Sequence, residues 1–458
     1  MTTDASGGQA GTAAAQPGWE PAGSIFDEHR PPPADVLDDC VHCGFCLASC
    51  PTYLLEGLET NSPRGRIDLL NLGSQGRVEL DEEFVANFDA CLGCMACVTA
   101  CPSGVRYDQL IETARPQIER HWRRTPADRA FRGLVFALFP HPGRLRPLAV
   151  LGIAYQRLAA PLVRRSGLLD RLPARLRALE ALLPSTRLRD LVRRQPPLVP
   201  AAGERRARVG LLTGCVQRVF FSDVNAAAAR VLAAEGCDVV APAGQGCCGA
   251  LSGHAGREGE AMARARATID AFEEAGDLDA VVVAVAGCGS AMKEYGHLLA
   301  EDPAYAERAA AFSARVRDLT EVLVELEPRA PRHPIEADVA YHDACHLRHA
   351  QGVTEPPRAV LSAIPRLRVL EIEESEVCCG SAGIYNLVEP EAAERLGLRK
   401  AGHVLEVHPD AVATANAGCL LQLRRYLDAG VPLYHPAELL DASIRGVQPP
   451  GLPHRSES

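Results

Sequence analysis

The sequence predicts an α/β protein overall, with an all-helical N-terminal module, a helical linker and two duplicated α/β cysteine-rich domains. Three observations support this prediction: two identically spaced cysteine runs, an arginine-rich middle broken by prolines, and a second cysteine pattern that recurs after about 130 residues. The predicted parts are a disordered lead-in (1–33), the N-terminal module (34–114), the basic linker (115–204), the first repeat (205–330), the second repeat (331–446) and a tail (447–458).

Composition narrows the classes of function. A chain of 458 residues with 47% hydrophobic content is long enough for about three domains with sizeable cores. No apolar stretch has the length of a spanning helix, and the start lacks the features of a signal peptide, so we expect a cytoplasmic protein. Its 17 cysteines then favour metal or redox use over disulfides. The net charge of −10 gives no overall bias toward nucleic acid.

The N-terminal module carries the strongest signal, the pattern C-x2-C-x2-C-x3-C-P, over residues 40–51 and again over 91–102. This is the ligand pattern of bacterial two-cluster ferredoxins, in which the fourth cysteine of each run ligates the other [4Fe-4S] cluster. The alternative of structural zinc sites is disfavoured, because zinc sites usually take separated cysteine pairs. The predicted ligands are Cys40, Cys43, Cys46 and Cys101 for one cluster, and Cys91, Cys94, Cys97 and Cys50 for the other.

Helix signals fill the gap between the two runs. Ser62 and Pro63 form a helix start, Gly73 is a plausible stop, and Asp81 opens a further helix that leads to Cys91. The spacing therefore predicts helices, not strands, around the two clusters.

Arginines stand out in two places. Arg64 and Arg66 follow the first run, where they either offset the negative charge of thiolate-bound clusters or lie on a solvated helix face. Residues 115–195 contain 18 arginines and no lysine against five acidic residues, and their apolar segments 131–139 and 148–158 would suit an anionic membrane surface or an acidic partner. We favour a linker that packs on its neighbours, with helices broken at Pro140, Pro142, Pro147, Pro161, Pro173 and Pro184.

The C-terminal half contains a duplication. Short apolar runs that read as buried parallel strands are separated by helical stretches, and the cysteines lie just past the strands, where α/β sheets place binding loops. The predicted strands are 209–212, 239–241, 281–285, 339–341, 369–372 and 412–415. The matching cysteine positions are Cys215 with Cys345, Cys247-Cys248-Gly249 with Cys378-Cys379-Gly380, and Cys288 with Cys419.

Four thiolates in each copy could meet at one metal site, and the glycine of each Cys-Cys-Gly turn would let the backbone bend close to it. We favour a further [4Fe-4S] cluster over zinc, although adjacent Cys-Cys ligation fits neither standard pattern. Cys237 has no counterpart and is predicted to be a buried structural thiol. Surface histidines are favoured over ligands or hydrogen-bond donors at His254, His342, His346 and His349.

Several sequence segments together resemble the iron-sulfur subunit of bacterial glycolate oxidase, over roughly residues 36–445. The segments are CVHCGFC (40–46), CPTY (50–53), PRGRI (63–67), CPSGVRY (101–107), CCGSAG (378–383) and TANAGC (414–419). The related heterodisulfide reductase modules end in C-x2-C, which this chain lacks after Cys288 and Cys419. That departure disfavours noncubane clusters and disulfide-cleaving chemistry.

The resemblance implies an electron-transfer subunit without a catalytic or flavin site of its own. FAD-containing partner subunits would oxidise glycolate to glyoxylate, and this chain would relay electrons toward a quinone or similar acceptor. A peripheral position on the inner face of the cell membrane stays open. The alternatives are the glycerol-3-phosphate or lactate version of the same relay, or a non-catalytic zinc or iron-sulfur scaffold, and substrate assignment rests on analogy.

Overall fold

The computed structural model describes residues 23–184, 188–427 and 430–452, so most of the predicted lead-in and the end of the tail lie outside the described residues. The predicted mixture of helices and sheets is confirmed, with two small and mainly parallel sheets. None of the described helices is both long and apolar enough to cross a bilayer.

Helices and loops build the N-terminal module. The two predicted helix starts are confirmed: the Ser62 hydroxyl accepts a hydrogen bond from the Gly65 amide, and the Asp81 carboxylate accepts one from the Phe84 amide. The helices are α1 (Ala34–Asp38), α2 (Pro51–Glu56), α3 (Pro63–Ser74), α4 (Glu82–Asp89), α5 (Ala96–Ala100) and α6 (Tyr107–His121).

The linker is helical and packs against both repeats. Val135 and Phe136 lie in one apolar cluster with Ile384 and Leu387 of the second repeat, and Leu251 of the first repeat packs on the same cluster. The linker helices are α7 (Pro126–Leu138), α8 (Pro142–Leu158), α9 (Ala160–Arg165), α10 (Ala174–Ala181) and α11 (Leu188–Val192). The prediction of a break at Pro147 is wrong: α8 runs through this proline, which has no N–H and therefore removes one backbone hydrogen bond from the helix without ending it.

Each repeat contains one sheet. The strands of the first sheet are β1 (Leu198–Val199), β2 (Ala207–Leu212), β3 (Cys237–Val240), β4 (Ala280–Val283) and β5 (Val316–Asp318), and those of the second are β6 (Ala337–Tyr341), β7 (Leu367–Leu370), β8 (Ala411–Ala413) and β9 (Leu433–Tyr434). The first sheet has the order β1-β3-β2-β4-β5 with only β1 antiparallel, and the second has the order β7-β6-β8-β9 with every pair parallel. All six predicted strands are present. The three that were not predicted, β1, β5 and β9, are edge strands of two or three residues.

Helices cover both sheets. In the first repeat they are α12 (Val216–Phe220), α13 (Ser222–Ala234), α14 (Ala250–His254), α15 (Glu258–Glu273), α16 (Ala286–Lys293), α17 (Tyr295–Leu298), α18 (Ala306–Arg315) and α19 (Leu319–Glu325). In the second repeat they are α20 (Glu355–Ser362), α21 (Tyr385–Val388), α22 (Pro390–Glu406), α23 (Ala417–Tyr426) and α24 (Pro436–Arg445), preceded by a π-helical turn at His346–Ala350.

One hydrophobic core joins the two repeats. Leu211 of the first sheet and Tyr341 of the second belong to the same buried cluster, which also contains the fully buried Cys237. The helices between the sheets pair reciprocally: α13 packs against α24, and α19 packs against α20. The two repeats therefore bury their apolar faces against each other.

Candidate metal centres

The N-terminal module contains two neighbouring cavities lined by cysteines. Cavity A is lined by Cys40, Cys43, Cys46, Cys97 and Cys101, and cavity B is lined by Cys50, Cys91, Cys94 and Cys97. The fourth cysteine of each run thus lies beside the first three cysteines of the other run. Pro63, Cys97 and Tyr107 line both cavities, so the two share a wall.

The backbone of both runs bends in the same way. The residues before and after the middle cysteine have positive φ angles in each run: His42 and Gly44 around Cys43, and Gly93 and Met95 around Cys94. Positive φ is uncommon for a residue with a side chain, so its repetition shows that the two runs form the same kind of loop.

The cysteine thiols that line cavity B differ in the direction of their pKa shifts. Burial raises the pKa values of Cys94 and Cys97 well above the usual thiol range. Burial is also the largest effect on Cys91, but the guanidinium groups of Arg66 and Arg115, together with hydrogen bonds from the Gly93 amide and the Tyr107 hydroxyl, outweigh it and lower its pKa. A set of buried thiols suits a metal centre, because metal coordination supplies the positive charge that keeps thiolates ionised.

Arg66 is 1% exposed and lies in the wall of cavity B. Its Nε donates to the Asn87 carbonyl at 2.6 Å and its Nη2 to the Thr52 hydroxyl at 3.2 Å. Of the two predicted roles for this arginine, the solvated helix face is wrong. Arg64 instead lies at the rim of cavity A, where it pairs with Glu59 and donates to the His42 carbonyl.

Each repeat brings its four cysteines together beyond the carboxyl ends of its strands. We call Cys215, Cys247, Cys248 and Cys288 the first cysteine site, and Cys345, Cys378, Cys379 and Cys419 the second cysteine site. Within each site, the side chain of each cysteine interacts with that of the next cysteine along the chain. In the second, the sulfur atoms of Cys345 and Cys378 are 3.7 Å apart.

The Cys-Cys-Gly turns have the same conformation in both repeats. Gly249 and Gly380 both have a φ of +87°, and a Cβ atom would lie 3.1 Å from the Ala261 carbonyl oxygen in the first case and 2.8 Å from the Ala393 carbonyl oxygen in the second. Glycine is therefore required for the backbone conformation and for the close approach of the next helix.

The two cysteine sites have different neighbours. At the first site, hydrogen bonds with the Cys215 and Cys248 thiols lower the pKa of Cys247, and Arg264 adds a smaller effect in the same direction. The Arg264 guanidinium lies 3.4 Å from the ring of His141, a linker residue. The second site faces the N-terminal module: Cys378 and Cys94 are buried in one apolar cluster, and Cys345 packs against it. The second site therefore adjoins cavity B.

The prediction of surface histidines is wrong for His342 and His346, which are buried, whereas His254 and His349 are partly exposed. His346 is buried, its Nε2 lies 2.9 Å from the Gly93 carbonyl oxygen, and its ring lies 4.7 Å from that of His254. The partly buried His349 contacts the Thr99 hydroxyl at 2.9 Å and the Glu376 carbonyl oxygen at 2.8 Å. The contacts to Gly93 and Thr99 connect the second repeat to the second cysteine run.

His342 lies inside the second cysteine site. It is 1% exposed. One nitrogen of its ring and the sulfur atoms of Cys379 and Cys419 all lie within 4.8 Å of one another. Among the described residues, neither ring nitrogen has a hydrogen-bond partner. The sequence contained a clue to this residue. When the two repeats are aligned at Cys215 and Cys345, His342 takes the position of Leu212, at the end of a buried strand.

Family models match most parts of this architecture. Residues 36–105 match a 4Fe-4S dicluster domain, residues 127–183 match the linker region of the glycolate oxidase iron-sulfur subunit, and residues 209–293 and 339–424 each match a cysteine-rich domain. Together with the cysteine-lined cavities, these matches define an iron-sulfur protein of the electron-transfer class.

Curated relatives narrow that class. The chain is 41% identical over 414 residues to the probable glycolate oxidase iron-sulfur subunit of Bacillus subtilis, covering 88% of this chain and 93% of the relative. It is 36% identical over 393 residues to the glycolate oxidase iron-sulfur subunit of Escherichia coli, covering 85% and 90%. Lactate utilization protein A of Geobacillus kaustophilus is 29% identical over 239 residues, which are 51% of this chain and 99% of the relative. The chain belongs to the family of glycolate oxidase iron-sulfur subunits.

Proposed function

We propose that this chain is the electron-transfer subunit of a complex in which FAD-containing subunits oxidise glycolate to glyoxylate, and that it relays the electrons toward a quinone or similar acceptor. The observation that carries the proposal is the pair of cysteine-lined cavities with a common wall. A [4Fe-4S] cluster, when bound at such cysteines, takes up and releases single electrons.

The chain's own residues hold, bury and tune these groups. We assign Cys40, Cys43, Cys46 and Cys101 to one cluster and Cys50, Cys91, Cys94 and Cys97 to the other, because each set lines one cavity. The shared wall at Tyr107 keeps the two sets of ligands adjacent. The buried cation Arg66 offsets part of the negative charge of the thiolates around cavity B.

We also propose that each repeat holds a metal centre at its cysteine site, either a further [4Fe-4S] cluster or zinc. The packing of Cys378 against Cys94 supports the second site as the one in electronic contact with cavity B. Serine at Cys378 should therefore change the reduction potential of the cavity B cluster, whereas serine at the equivalent Cys247 should leave it unchanged. Potentiometric titration followed by electron paramagnetic resonance measures both, and equal effects would remove this assignment.

The substrate is tested on the native complex. The complex is purified through this chain, and glycolate, lactate and glycerol 3-phosphate are each offered with an artificial electron acceptor. We expect glycolate to be oxidised fastest. Faster oxidation of lactate would favour the second candidate, to which the likeness to a lactate utilization protein points.

The cofactors are tested on the isolated chain under anaerobic conditions. Two [4Fe-4S] clusters require about eight iron atoms per chain before any metal in the repeats is counted. Reduction with dithionite should bleach the brown colour and produce a paramagnetic signal. Colourless protein rich in zinc would instead support the scaffold alternative.

We also propose that an exposed, apolar and basic surface of the linker contacts the inner face of the membrane. Around the end of α8 and through α9, Leu158 and Leu162 are 77% and 70% exposed, and Arg157 and Arg165 are exposed beside them. Apolar side chains flanked by arginines suit an anionic lipid surface. The double substitution Arg157→Glu and Arg165→Glu should reduce the fraction of the assembled complex that is recovered with anionic vesicles. Arg124 is unsuitable for this test because it is bound to Asp89 and Glu119.

A further inference from the structure

We propose that His342 is a metal ligand in the second cysteine site, so that the two repeats hold different metal centres. The first would have thiolate ligands only, and the second would combine an imidazole nitrogen with thiolates. The inference rests on the proposed function in one respect, the use of Cys379 and Cys419 as metal ligands.

Geometry is the first argument. His342 follows β6 directly, and its backbone amide donates to the Ala413 carbonyl at 2.9 Å, which fixes the residue between β6 and β8. Its ring and the sulfur atoms of Cys379 and Cys419 form a triangle of ligand atoms with every side within 4.8 Å. Ligand atoms around a tetrahedral metal are separated by about 3.5–4 Å, so only small side-chain shifts separate this triangle from a closed site.

Burial is the second argument. Both ring nitrogens of His342 are without a hydrogen-bond partner among the described residues, although the side chain is 1% exposed. Leaving a buried polar group unsatisfied costs about 1–3 kcal/mol. Coordination of a metal by one ring nitrogen would satisfy that atom within the space that the structure provides.

The first repeat provides the comparison. The residue that corresponds to His342 is Leu212, which is 1% exposed and packs in the same apolar cluster as Cys248, the equivalent of Cys379. Four sulfurs therefore meet beside a leucine in one repeat and beside an imidazole in the other. Thiolate and imidazole ligands together suit zinc or iron and do not suit magnesium or calcium, which prefer oxygen.

The test uses the full chain purified anaerobically, with metal content per chain as the first readout. His342→Leu installs the residue of the first repeat, and His342→Cys keeps a ligand but removes the nitrogen. His346→Leu is the matched control, because His346 is also buried but hydrogen-bonds to Gly93. In the proposed centre the imidazole is one of four ligands, so His342→Leu leaves three, unlike the first site, whose ligands are all thiolates. We therefore expect His342→Leu to lower the metal occupancy of the second site at least tenfold, and His342→Cys and the control to retain it.

The second readout identifies the nitrogen. If the site holds zinc, X-ray absorption at the zinc edge should lose one nitrogen neighbour in His342→Cys. If it holds iron, protein with ¹⁵N-labelled histidine should show a hyperfine coupling that is absent in the same variant. Unchanged metal content in His342→Leu together with unchanged spectra in His342→Cys would overturn the inference. If His342→Leu fails to fold, the spectra of His342→Cys decide alone.

A further variant separates this inference from the proposal on which it rests. Cys379→Ser should also lose the metal of the second site. If Cys379→Ser loses it and His342→Leu does not, the histidine inference fails and the cysteine site stands. If neither variant changes the metal content, the proposed use of the cysteines is wrong, whereas the N-terminal clusters are tested separately by their own paramagnetic signals.

Discussion

The two repeats place four cysteines at equivalent points after equivalent strands, yet they surround them differently. In the first repeat, Leu212 and Ile269 belong to an apolar cluster around the cysteines. In the second, the aligned positions are His342 and Lys400, both at most 2% exposed. The fold therefore determines where the sulfurs meet, whereas a few substitutions behind them determine which charges and ligands the centre encounters.

The largest expected effect comes from exchanging the buried lysine and its apolar counterpart. Lys400 donates to the Glu374 carbonyl, and the thiols of Cys378 and Cys379 favour its charged form although burial lowers its pKa. Ile269 has only apolar neighbours in its cluster, so Ile269→Lys should destabilise the protein by about 3–5 kcal/mol. Lys400→Ile should cost only about 1–2 kcal/mol, since it removes a hydrogen bond without burying a new charge.

Urea denaturation of the anaerobic protein measures both changes, and Ile269→Leu is the control for side-chain shape. A larger loss in Lys400→Ile than in Ile269→Lys would show that the two environments are not as different as their side chains indicate.

A pH-dependent effect of intermediate size distinguishes the last helix of each repeat. Asp318 caps α19 and His435 caps α24. Burial raises the pKa of Asp318 to about 6 and lowers the pKa of His435 to about 4. The Asp318 contribution to stability is thus present below its unfolded pKa and lost as the pH rises toward 6. The His435 contribution is present above pH 6.5 and lost as the pH falls toward 4.

Asp318→Asn and His435→Asn isolate these two contributions. Between pH 4 and 6, the unfolding free energy of Asp318→Asn relative to the parent should rise by about 2 kcal/mol, because the unfolded parent releases most of one proton before the folded parent does and one proton per pH unit corresponds to about 1.4 kcal/mol. The same difference for His435→Asn should fall by a similar amount. Denaturation at a series of pH values measures both slopes, and slopes of the same sign would contradict the comparison.

The smallest expected effect concerns the Cys-Cys-Gly turns. Alanine at Gly249 should cost about 1–2 kcal/mol, the usual penalty of a left-handed conformation. Alanine at Gly380 should cost about 1 kcal/mol more, because its Cβ would lie 2.8 Å from a helix carbonyl oxygen, whereas the Cβ at Gly249 would lie 3.1 Å from one. Denaturation of the two variants side by side gives the difference. Equal losses of unfolding free energy would mean that α22 shifts away from the new Cβ atom as readily as α15 does.

Strong local patterns made much of the fold predictable from sequence. The short apolar runs around Val209, Val281 and Val339 identified buried parallel strands, and Ser62 and Asp81 identified helix starts from their capping chemistry. The edge strands β1, β5 and β9 escaped prediction because two or three residues contain too little periodicity to recognise.

The sequence predicted which cysteines form the candidate sites, but not which other residues surround them. The spacing of the runs predicted which cysteines would meet, and the cavities contain those sets. The burial of His346 against Gly93 and the packing of Cys94 on Cys378 connect residues more than 250 positions apart. Such contacts depend on how the domains dock, and no local periodicity encodes docking.

The reciprocal packing of α13 on α24 and α19 on α20 has a consequence for the origin of the chain. When the same two surfaces meet twice with their roles exchanged, the arrangement has the character of a twofold interface between identical subunits. A lone ancestral unit would have exposed the apolar face that is now shared. The ancestor is therefore best described as a homodimer, which gene duplication later fused into one polypeptide, leaving each half free to diverge.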